Sequence, residues 1–160
     1  MVYRLYDLVL CLSTLILVPY YLIRGLRYGS VGRGIRERLG YYAPEFHDAI
    51  KSQRVIWVHA VSVGETRAAI PLLKALRTAY PDVKLVLSNL TETGRKIASE
   101  IQEIDHFVYF PFDLSWIVRK VLKIVKPEIV VLVETEIWPN FVLQAKQRNI
   151  PVILVNGRIS

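Results

Sequence analysis

The sequence predicts an α/β protein built on a doubly wound, parallel sheet with an apolar helix in front of it. Two observations predict the sheet. From Val55 onward, short apolar runs alternate with segments of helical periodicity. One of these runs, Ile129–Val133, contains only β-branched residues and leucine, as a central parallel strand does. The third observation is Leu8–Ile23, a stretch of sixteen residues without a charge.

The uncharged stretch at the amino terminus predicts a membrane-anchor helix within residues 1–24. A spanning helix needs about 20 apolar residues, and this run is slightly short, so a spanning and an interfacial anchor both stay open. Arg24 and Arg27 follow the run and would keep the rest of the chain in the cytoplasm. A cleaved signal peptide is disfavoured, because no basic region precedes the run and no small-residue cleavage site follows it. A buried core helix is the remaining interpretation.

The positive charge is concentrated next to this stretch. The chain of 160 residues has a net charge of +7, and residues 24–54 hold seven basic against three acidic side chains. We interpret residues 25–54 as a basic connector, whose arginines favour anionic lipid as a group, although each alone could be solvated. The chain has no nucleic-acid-binding motif, so no nucleic-acid partner is expected. A single cysteine, Cys11, excludes a disulfide framework and a cysteine-based zinc site.

The remaining residues, 55–160, are predicted to form the α/β domain. The predicted strands are 55–61, 84–88, 106–110, 129–133 and 151–155. The predicted helices are 65–79, 93–101, 114–125 and 136–148. Asp113 is the N-cap candidate of the third of these helices, and Pro139 fits the first turn of the fourth. Parallel sheets of this kind bind ligands beyond the carboxyl ends of their strands, so the functional residues are expected there.

The segment after the first strand contains Ser62, Gly64 and Glu65. Ser62 and Glu65 have the S-x-x-E spacing of a capping box, so a purely structural role is open. The functional interpretation is equally open. Gly64 allows a ligand to approach the backbone, and a helix N-terminus favours anions. A carboxylate at this position stays ionised, which suits a general base.

Polar residues also follow the second and fourth strands. The loop with Thr91, Thr93 and Gly94 could hold a phosphate or a sugar, although it has neither a Walker nor a dinucleotide-binding glycine pattern. Glu134 and Glu136 come directly after a buried strand, where two carboxylates are costly unless they have a function or cap the next helix.

The histidines are less informative. His47 and His106 are interpreted as ordinary residues of the connector and of a strand. His59, at the end of the first strand, is ambiguous. Together with Glu134 and Glu136 it could form a metal site, but no H-x-x-E-H or H-E-x-x-H spacing supports one, so no metal is expected.

Five motifs, in this order and at this spacing, resemble one known family. They are WVHAVSVGETRAAIPLLKAL, LTETG, FPFD, KPEIVVLVETEIWPN and IPVILVNGRIS. The chain resembles the 3-deoxy-D-manno-octulosonic acid (Kdo) transferases of Gram-negative bacteria over its whole length. The segment with Arg36, Arg38, Gly40 and Tyr41 is also similar to that family. The SVGE and ETEIWPN motifs are the most specific.

The resemblance implies a Rossmann-like domain that is the N-terminal half of a GT-B glycosyltransferase. It implies transfer of Kdo from CMP-Kdo to the lipid A precursor in lipopolysaccharide biosynthesis, with inversion and without a metal or cofactor. Glu65 would be the catalytic base and Glu134 a second required carboxylate. Substrate binding would involve the residues of the polar loops, namely Ser62, Gly64, Thr91, Thr93, Gly94 and Glu136.

The resemblance also implies a location and a missing part. The enzyme would act at the cytoplasmic face of the bacterial inner membrane. Residues 55–160 would bind the acceptor, and the C-terminal domain that binds most of the CMP-sugar would be absent, so the chain alone is expected to be inactive. Two other functions are alternatives. One is a membrane-anchored module that binds anionic lipid without catalysis, and the other is an oxidoreductase domain, which the missing glycine pattern disfavours.

Overall fold

The computed structural model describes Tyr3 and residues 5–13, 31–134 and 137–156. The strands are β1 (Val55–His59), β2 (Lys84–Asn89), β3 (His106–Tyr109), β4 (Ile129–Val133) and β5 (Val152–Val155). The helices are α1 (residues 5–13), α2 (Val31–Arg38), α3 (Pro44–Ile50), α4 (Val63–Ala79), α5 (Glu92–Ala98), α6 (Ser115–Val125) and α7 (Pro139–Lys146).

The five strands form one sheet in the order β3-β2-β1-β4-β5, and every neighbouring pair is parallel. The chain moves outward from β1 to β3, crosses back to place β4 beside β1, and continues to β5 on the outer side of β4. The prediction of a Rossmann-like, doubly wound sheet is therefore confirmed. Because the winding direction changes between β1 and β4, a crevice is expected at the carboxyl ends of these two strands.

Helices cover both faces of the sheet. One face carries an aromatic cluster that packs against α3, α6 and α7 and includes Trp57, Phe110 and Phe141. The other face packs against α4 and α5 and includes Leu73 and Leu87. Every residue of β1 is buried, as expected for a central strand with both faces covered.

The predicted strands and helices of residues 55–155 are all present, with ends that differ by up to three residues. The prediction that Asp113 caps the helix after it is wrong. Leu114 occupies the N-cap of α6 and makes no side-chain cap. The Asp113 carboxylate instead accepts hydrogen bonds from the backbone N–H groups of Asn140 and Phe141 at 3.0 and 2.8 Å. These N–H groups lie in the first turn of α7, where they have no partner within the helix.

The described part of the predicted basic connector forms α2 and α3, both of which pack onto the sheet. α2 ends in a Schellman motif, because the N–H of Gly40 bonds to Glu37 O at 2.8 Å and that of Tyr41 to Arg36 O at 2.9 Å. Gly40 has φ +74°, and a Cβ there would approach Val121 to 3.0 Å. Glycine is therefore required on both conformational and steric grounds.

The predicted anchor, residues 1–24, lies partly outside the described residues, which include only Tyr3 and the helix α1 from this region. In α1, Leu10 and Cys11 are partly buried and pack against the aromatic face of the core. Among the helices of the described residues, none is long and apolar enough to cross a bilayer.

Candidate functional site at the carboxyl edge of the sheet

Glu65 is held by the residues that cap the start of α4. Its backbone N–H donates to Ser62 Oγ at 3.4 Å, and its Oε1 accepts from the same hydroxyl at 3.0 Å. Its Oε2 accepts from the Val61 N–H at 2.5 Å. The predicted cap by Ser62 is confirmed, whereas the Glu65 carboxylate binds the N–H of Val61 and not that of the N-cap residue Ser62, as a standard capping box would. Each carboxylate oxygen keeps a second lone pair, so the cap leaves Glu65 able to accept a further hydrogen bond.

Open space lies above the first turn of α4. Gly64 is exposed, and a Cβ at this position would approach only Ser62 Oγ, at 3.9 Å. A ligand can therefore come close to the backbone here, next to a helix N-terminus that favours negative charge. Ser62, Gly64 and Glu65 together form one wall of the candidate site.

Glu134 directly follows β4 and has a left-handed backbone conformation. Its φ is +65°, in a region that residues other than glycine rarely adopt, and Asn156 at the end of β5 has φ +55°. The side chains of these two residues meet, because Asn156 Nδ2 donates to Glu134 Oε1 at 3.5 Å. Asn156 was not singled out by the sequence analysis. Glu136 lies outside the described residues.

The sheet brings the Glu65 loop and Glu134 to the same edge. β1 and β4 are neighbours, and His59 pairs with Leu132. Glu134 lies two residues beyond Leu132, and Val61, whose N–H binds Glu65, lies two residues beyond His59. Neighbouring strands are about 4.8 Å apart, so the two glutamate-bearing segments leave the sheet side by side where its winding direction changes.

The predicted polar loop after β2 is held together by its own side chains. Thr91 is the N-cap of α5 and accepts from the Gly94 N–H at 3.0 Å, while the Thr93 hydroxyl donates to that of Thr91 at 3.3 Å. Gly94 is buried, and a Cβ there would lie 2.2 Å from Asn89 Nδ2. Gly94 is thus required for packing, whereas the exposed Thr93 is available to a ligand.

Arg38 from α2 reaches the same edge, a contact that the sequence analysis did not foresee. Its guanidinium donates to the carbonyl oxygen of Leu90 and lies 5.0 Å from the centre of the Tyr109 ring. Burial lowers the pKa of Arg38 from its usual value. Arg36 points to solvent. The one sequence signal was the R-x-R spacing, which does not indicate which arginine turns inward.

His59 is completely buried beneath this edge. Its ring stacks on Phe110 at 3.8 Å, and its Nδ1 lies 3.0 Å from Ser88 Oγ. Ser88 Oγ also accepts from Trp57 Nε1 at 2.8 Å. His59 Nε2 has no hydrogen-bond partner among the described residues. Burial lowers the pKa of His59 to about 3, so the imidazole is neutral at physiological pH.

The buried His59 predicts that the fold loses stability in mild acid. Its folded-state pKa of about 3 lies below the usual 6.5. Its stabilising contribution is therefore complete above about pH 6.5 and is lost as the pH falls towards 3, because only the unfolded chain takes up the proton. As the pH falls from 7 to 5, we expect protonation of this histidine in the unfolded chain to lower the free energy of unfolding by about 2 kcal/mol.

Denaturant unfolding at several pH values measures this contribution. The pH dependence should be reduced in His59→Gln and unchanged in His47→Gln, which alters an exposed histidine. Other groups, including Asp113, whose pKa is raised to about 6 by burial, contribute equally to all three proteins. An undiminished slope in His59→Gln would contradict a neutral, buried His59.

Two cavities of the described residues lie away from this edge. One, of about 460 Å³, is next to the amino end of β5 and is lined by Val142, Lys146 and residues 149–152. The other, of about 190 Å³, lies between α2, α3 and β3. In the same part of the chain, no three His, Cys, Asp or Glu side chains are grouped so that they could hold a metal ion.

The fold and the polar loops define the class of protein: a Rossmann-like α/β domain with its candidate site at the carboxyl edge of the sheet, between β1 and β4. Residues 33–160 match the family described as 3-deoxy-D-manno-octulosonic-acid transferase (kdotransferase). The match covers most of the chain, so the chain belongs to this family. The resemblance inferred from the motifs is confirmed.

Similar proteins agree with this result. The chain is 34% identical over 128 residues to a 3-deoxy-D-manno-octulosonic acid transferase of Haemophilus influenzae, covering 79% of the chain and 29% of that protein. It is 30% identical over 159 residues to the transferase of the same name from Chlamydophila psittaci, covering 98% and 36%. A bifunctional glycosyltransferase/methyltransferase of Fusobacterium nucleatum is 35% identical over 120 residues, covering 72% and 18%. The chain thus spans about a third of the first two relatives, or less.

Proposed function

We propose that the protein containing this chain transfers Kdo from CMP-Kdo to a primary hydroxyl of the lipid A precursor. Family membership supports this proposal, as do the names of the relatives. The observation that carries it is the position of the two glutamates. Glu65 and Glu134 follow the neighbouring strands β1 and β4, beside open space at a helix N-terminus. Carboxylates in such a position suit proton transfer from a hydroxyl.

In the proposed reaction, Glu65 accepts the proton of the acceptor hydroxyl. The hydroxyl oxygen forms a bond to the anomeric carbon of Kdo as the bond from that carbon to the CMP phosphate oxygen breaks, with inversion. CMP leaves with the bonding electron pair. Val61 and Ser62 hold the Glu65 carboxylate in place, which fixes the base before the acceptor arrives. Glu134 and Asn156 would orient the acceptor at the other wall.

The chain would form the acceptor-binding part of this enzyme. We assign acceptor binding to this edge, through Ser62, Gly64, Thr91, Thr93 and Glu136, whereas the buried Gly94 would shape the loop from within. A GT-B arrangement would supply a second domain for most of the CMP-Kdo contacts. The chain by itself is therefore expected to bind acceptor without turnover.

Contact with the cytoplasmic face of the inner membrane is part of the proposal, because the acceptor is a lipid. The sequence has an uncharged run from Leu8 to Ile23 and arginines immediately after it. In α1, the exposed side chains form an apolar stripe, which consists of Leu5, Leu8, Val9 and Leu12. Such a stripe next to basic residues is typical of a helix that binds anionic membrane surfaces.

A titration of the 160-residue chain tests the assignment of the acceptor. We expect binding of the bisphosphorylated lipid A precursor in detergent micelles, and weak or no binding of CMP, with empty micelles as the control. Strong binding of CMP without binding of the lipid would reverse the assignment. Transfer of Kdo to the precursor by the complete protein then separates an enzyme from a module that only binds lipid.

The non-catalytic module remains the second candidate because of one observation. Both oxygens of Glu65 already accept hydrogen bonds within their own loop, as in a helix cap without any catalytic role. The two functions differ in whether the complete protein transfers Kdo at all.

A further inference from the structure

Helix α1 has two faces of different chemistry. The exposed face is the apolar stripe, whose spacing of i, i+3, i+4 and i+7 places its members on one side of the helix. The opposite face carries Tyr6 and Asp7, which are half-buried and contact the α/β domain. An apolar side chain at both positions would have been sufficient for packing, so the two polar groups call for an explanation.

Tyr6 holds the group that caps α7. Its hydroxyl donates to Asp113 Oδ2 at 3.1 Å. The same carboxylate accepts from the backbone N–H groups of Asn140 and Phe141. Burial and the Asp113 charge raise the pKa of Tyr6 to about 12, so it is a hydrogen-bond donor at neutral pH. A side chain of α1 therefore completes the cap of a helix more than a hundred residues away in sequence.

Asp7 joins the starts of two helices. Its Oδ1 accepts from the backbone N–H of Ser115, the first residue of α6, at 3.1 Å. The same oxygen accepts from Asn140 Nδ2 at 2.7 Å, and that nitrogen also donates to Asp113 O at 2.6 Å. Tyr6, Asp7, Asp113 and Asn140 thus form one hydrogen-bonded group, which we call the α1 latch.

The start of α7 borders the candidate site. The segment between β4 and α7 begins at Glu134 and ends at Trp138, the N-cap residue of α7. The Trp138 ring lies 5.9 Å from that of Phe110, which in turn stacks on His59. Whatever fixes the first turn of α7 also fixes one end of the segment that carries the second carboxylate.

We propose that α1 is a positioning helix, which couples contact between its apolar stripe and an anionic bilayer to the order of the first turn of α7, through Tyr6 and Asp7. This inference rests on the membrane contact of the proposed function. An anionic bilayer is the occupant that the chain favours, because the apolar run continues to Ile23 and is followed by Arg24 and Arg27.

Coupling of this kind is reciprocal. A bilayer that stabilises the docked α1 lowers the equilibrium constant for opening of the latch, and an intact latch strengthens binding to the bilayer by the same factor. Tyr6 and Asp7 would act through Asp113 and Asn140, not on the substrate. If Tyr6 had only a structural role, its replacement would change the exchange of backbone amides equally with and without lipid. The effect of lipid on this exchange therefore tests the coupling.

The experiment measures hydrogen exchange of the Asn140 and Phe141 amides in the 160-residue chain. Exchange is compared without lipid, with phosphatidylcholine vesicles, and with vesicles of phosphatidylcholine and phosphatidylglycerol. Tyr6→Phe removes only the hydroxyl of the latch. Tyr3→Phe is the matched control, because Tyr3 is exposed in the same region. Leu8→Ser weakens the stripe and leaves the latch intact.

We expect the anionic vesicles to slow exchange by about fivefold or more in the wild-type chain and in Tyr3→Phe. In Tyr6→Phe, exchange without lipid should be roughly tenfold faster, the lipid effect should be reduced, and vesicle affinity should fall in parallel. Leu8→Ser should exchange like the wild type without lipid and respond less to vesicles.

Two results overturn the inference and are distinguishable. If the chain binds anionic vesicles but exchange at Asn140 and Phe141 is unchanged, or slows equally in Tyr6→Phe, the coupling is absent while the proposed membrane contact holds. If the wild-type chain does not bind vesicles, or its stripe instead joins two copies of the chain in a concentration-dependent dimer, the proposed membrane contact fails as well. Neither result depends on sugar transfer.

Discussion

Replacing Glu65 by glutamine is expected to lower the turnover of the complete enzyme by a factor of about 10²–10⁴, the usual contribution of a positioned base. Glutamine can accept from the Val61 N–H and donate to Ser62 Oγ, so both cap contacts are retained. It cannot accept a proton at neutral pH. The binding of the acceptor should change little, because the lost interaction belongs to the transition state.

Steady-state kinetics with CMP-Kdo and the lipid A precursor measure this effect. Glu100→Gln, which removes the same charge from an exposed position on the domain, is the control and should retain full turnover. If Glu65 only caps α4, Glu65→Gln should lose at most ~1 kcal/mol of stability and react at a nearly normal rate. A folded Glu65→Gln enzyme with near-normal turnover would disprove the base and leave the cap of α4 as the role of Glu65.

The second large effect is expected at Phe110. Its ring is completely buried, stacks on His59 at 3.8 Å and lies 4.7 Å from the Phe141 ring. Phe110→Ala would leave a cavity among these rings, and we expect the free energy of unfolding to fall by about 3–5 kcal/mol. The neighbouring Trp138 would lose a packing partner at the same time.

Equilibrium unfolding in urea measures this loss of stability. Trp116→Ala removes an aromatic ring of at least equal size from a position that is 52% exposed, and should change the stability by only about 0.5 kcal/mol. Equal losses in the two variants would mean that Phe110 is not the centre of the aromatic face of the core.

Local patterns were sufficient to predict the elements of the sheet. The apolar run Ile129–Val133 forms a buried strand because its composition leaves no other arrangement that covers both faces. The S-x-x-E spacing predicted the cap between Ser62 and Glu65, whose partners are three residues apart. In both cases the interaction that determines the structure is encoded within one short segment.

Contacts between distant segments were not predictable in this way. Asp113 has the position of a local cap, but its carboxylate is drawn to the unpaired N–H groups of α7, which only the folded chain brings near. Arg38 turns inward because α2 packs along β3, and no periodicity within residues 25–54 indicates this. Glu134 likewise has a left-handed conformation, and its N–H donates to Val155 O in the neighbouring strand, a contact between distant segments.

The backbone at Glu134 sets a limit on engineering this protein for heat resistance. A non-glycine residue at φ +65° costs roughly 1 kcal/mol compared with glycine in the same conformation. Selection for thermal tolerance alone would therefore favour glycine at position 134, whereas under the proposed function selection for sugar transfer would retain the carboxylate. At this single position the two kinds of selection would lead to different residues. A heat-resistant variant that keeps Glu134 would have to gain the corresponding free energy of unfolding at other positions.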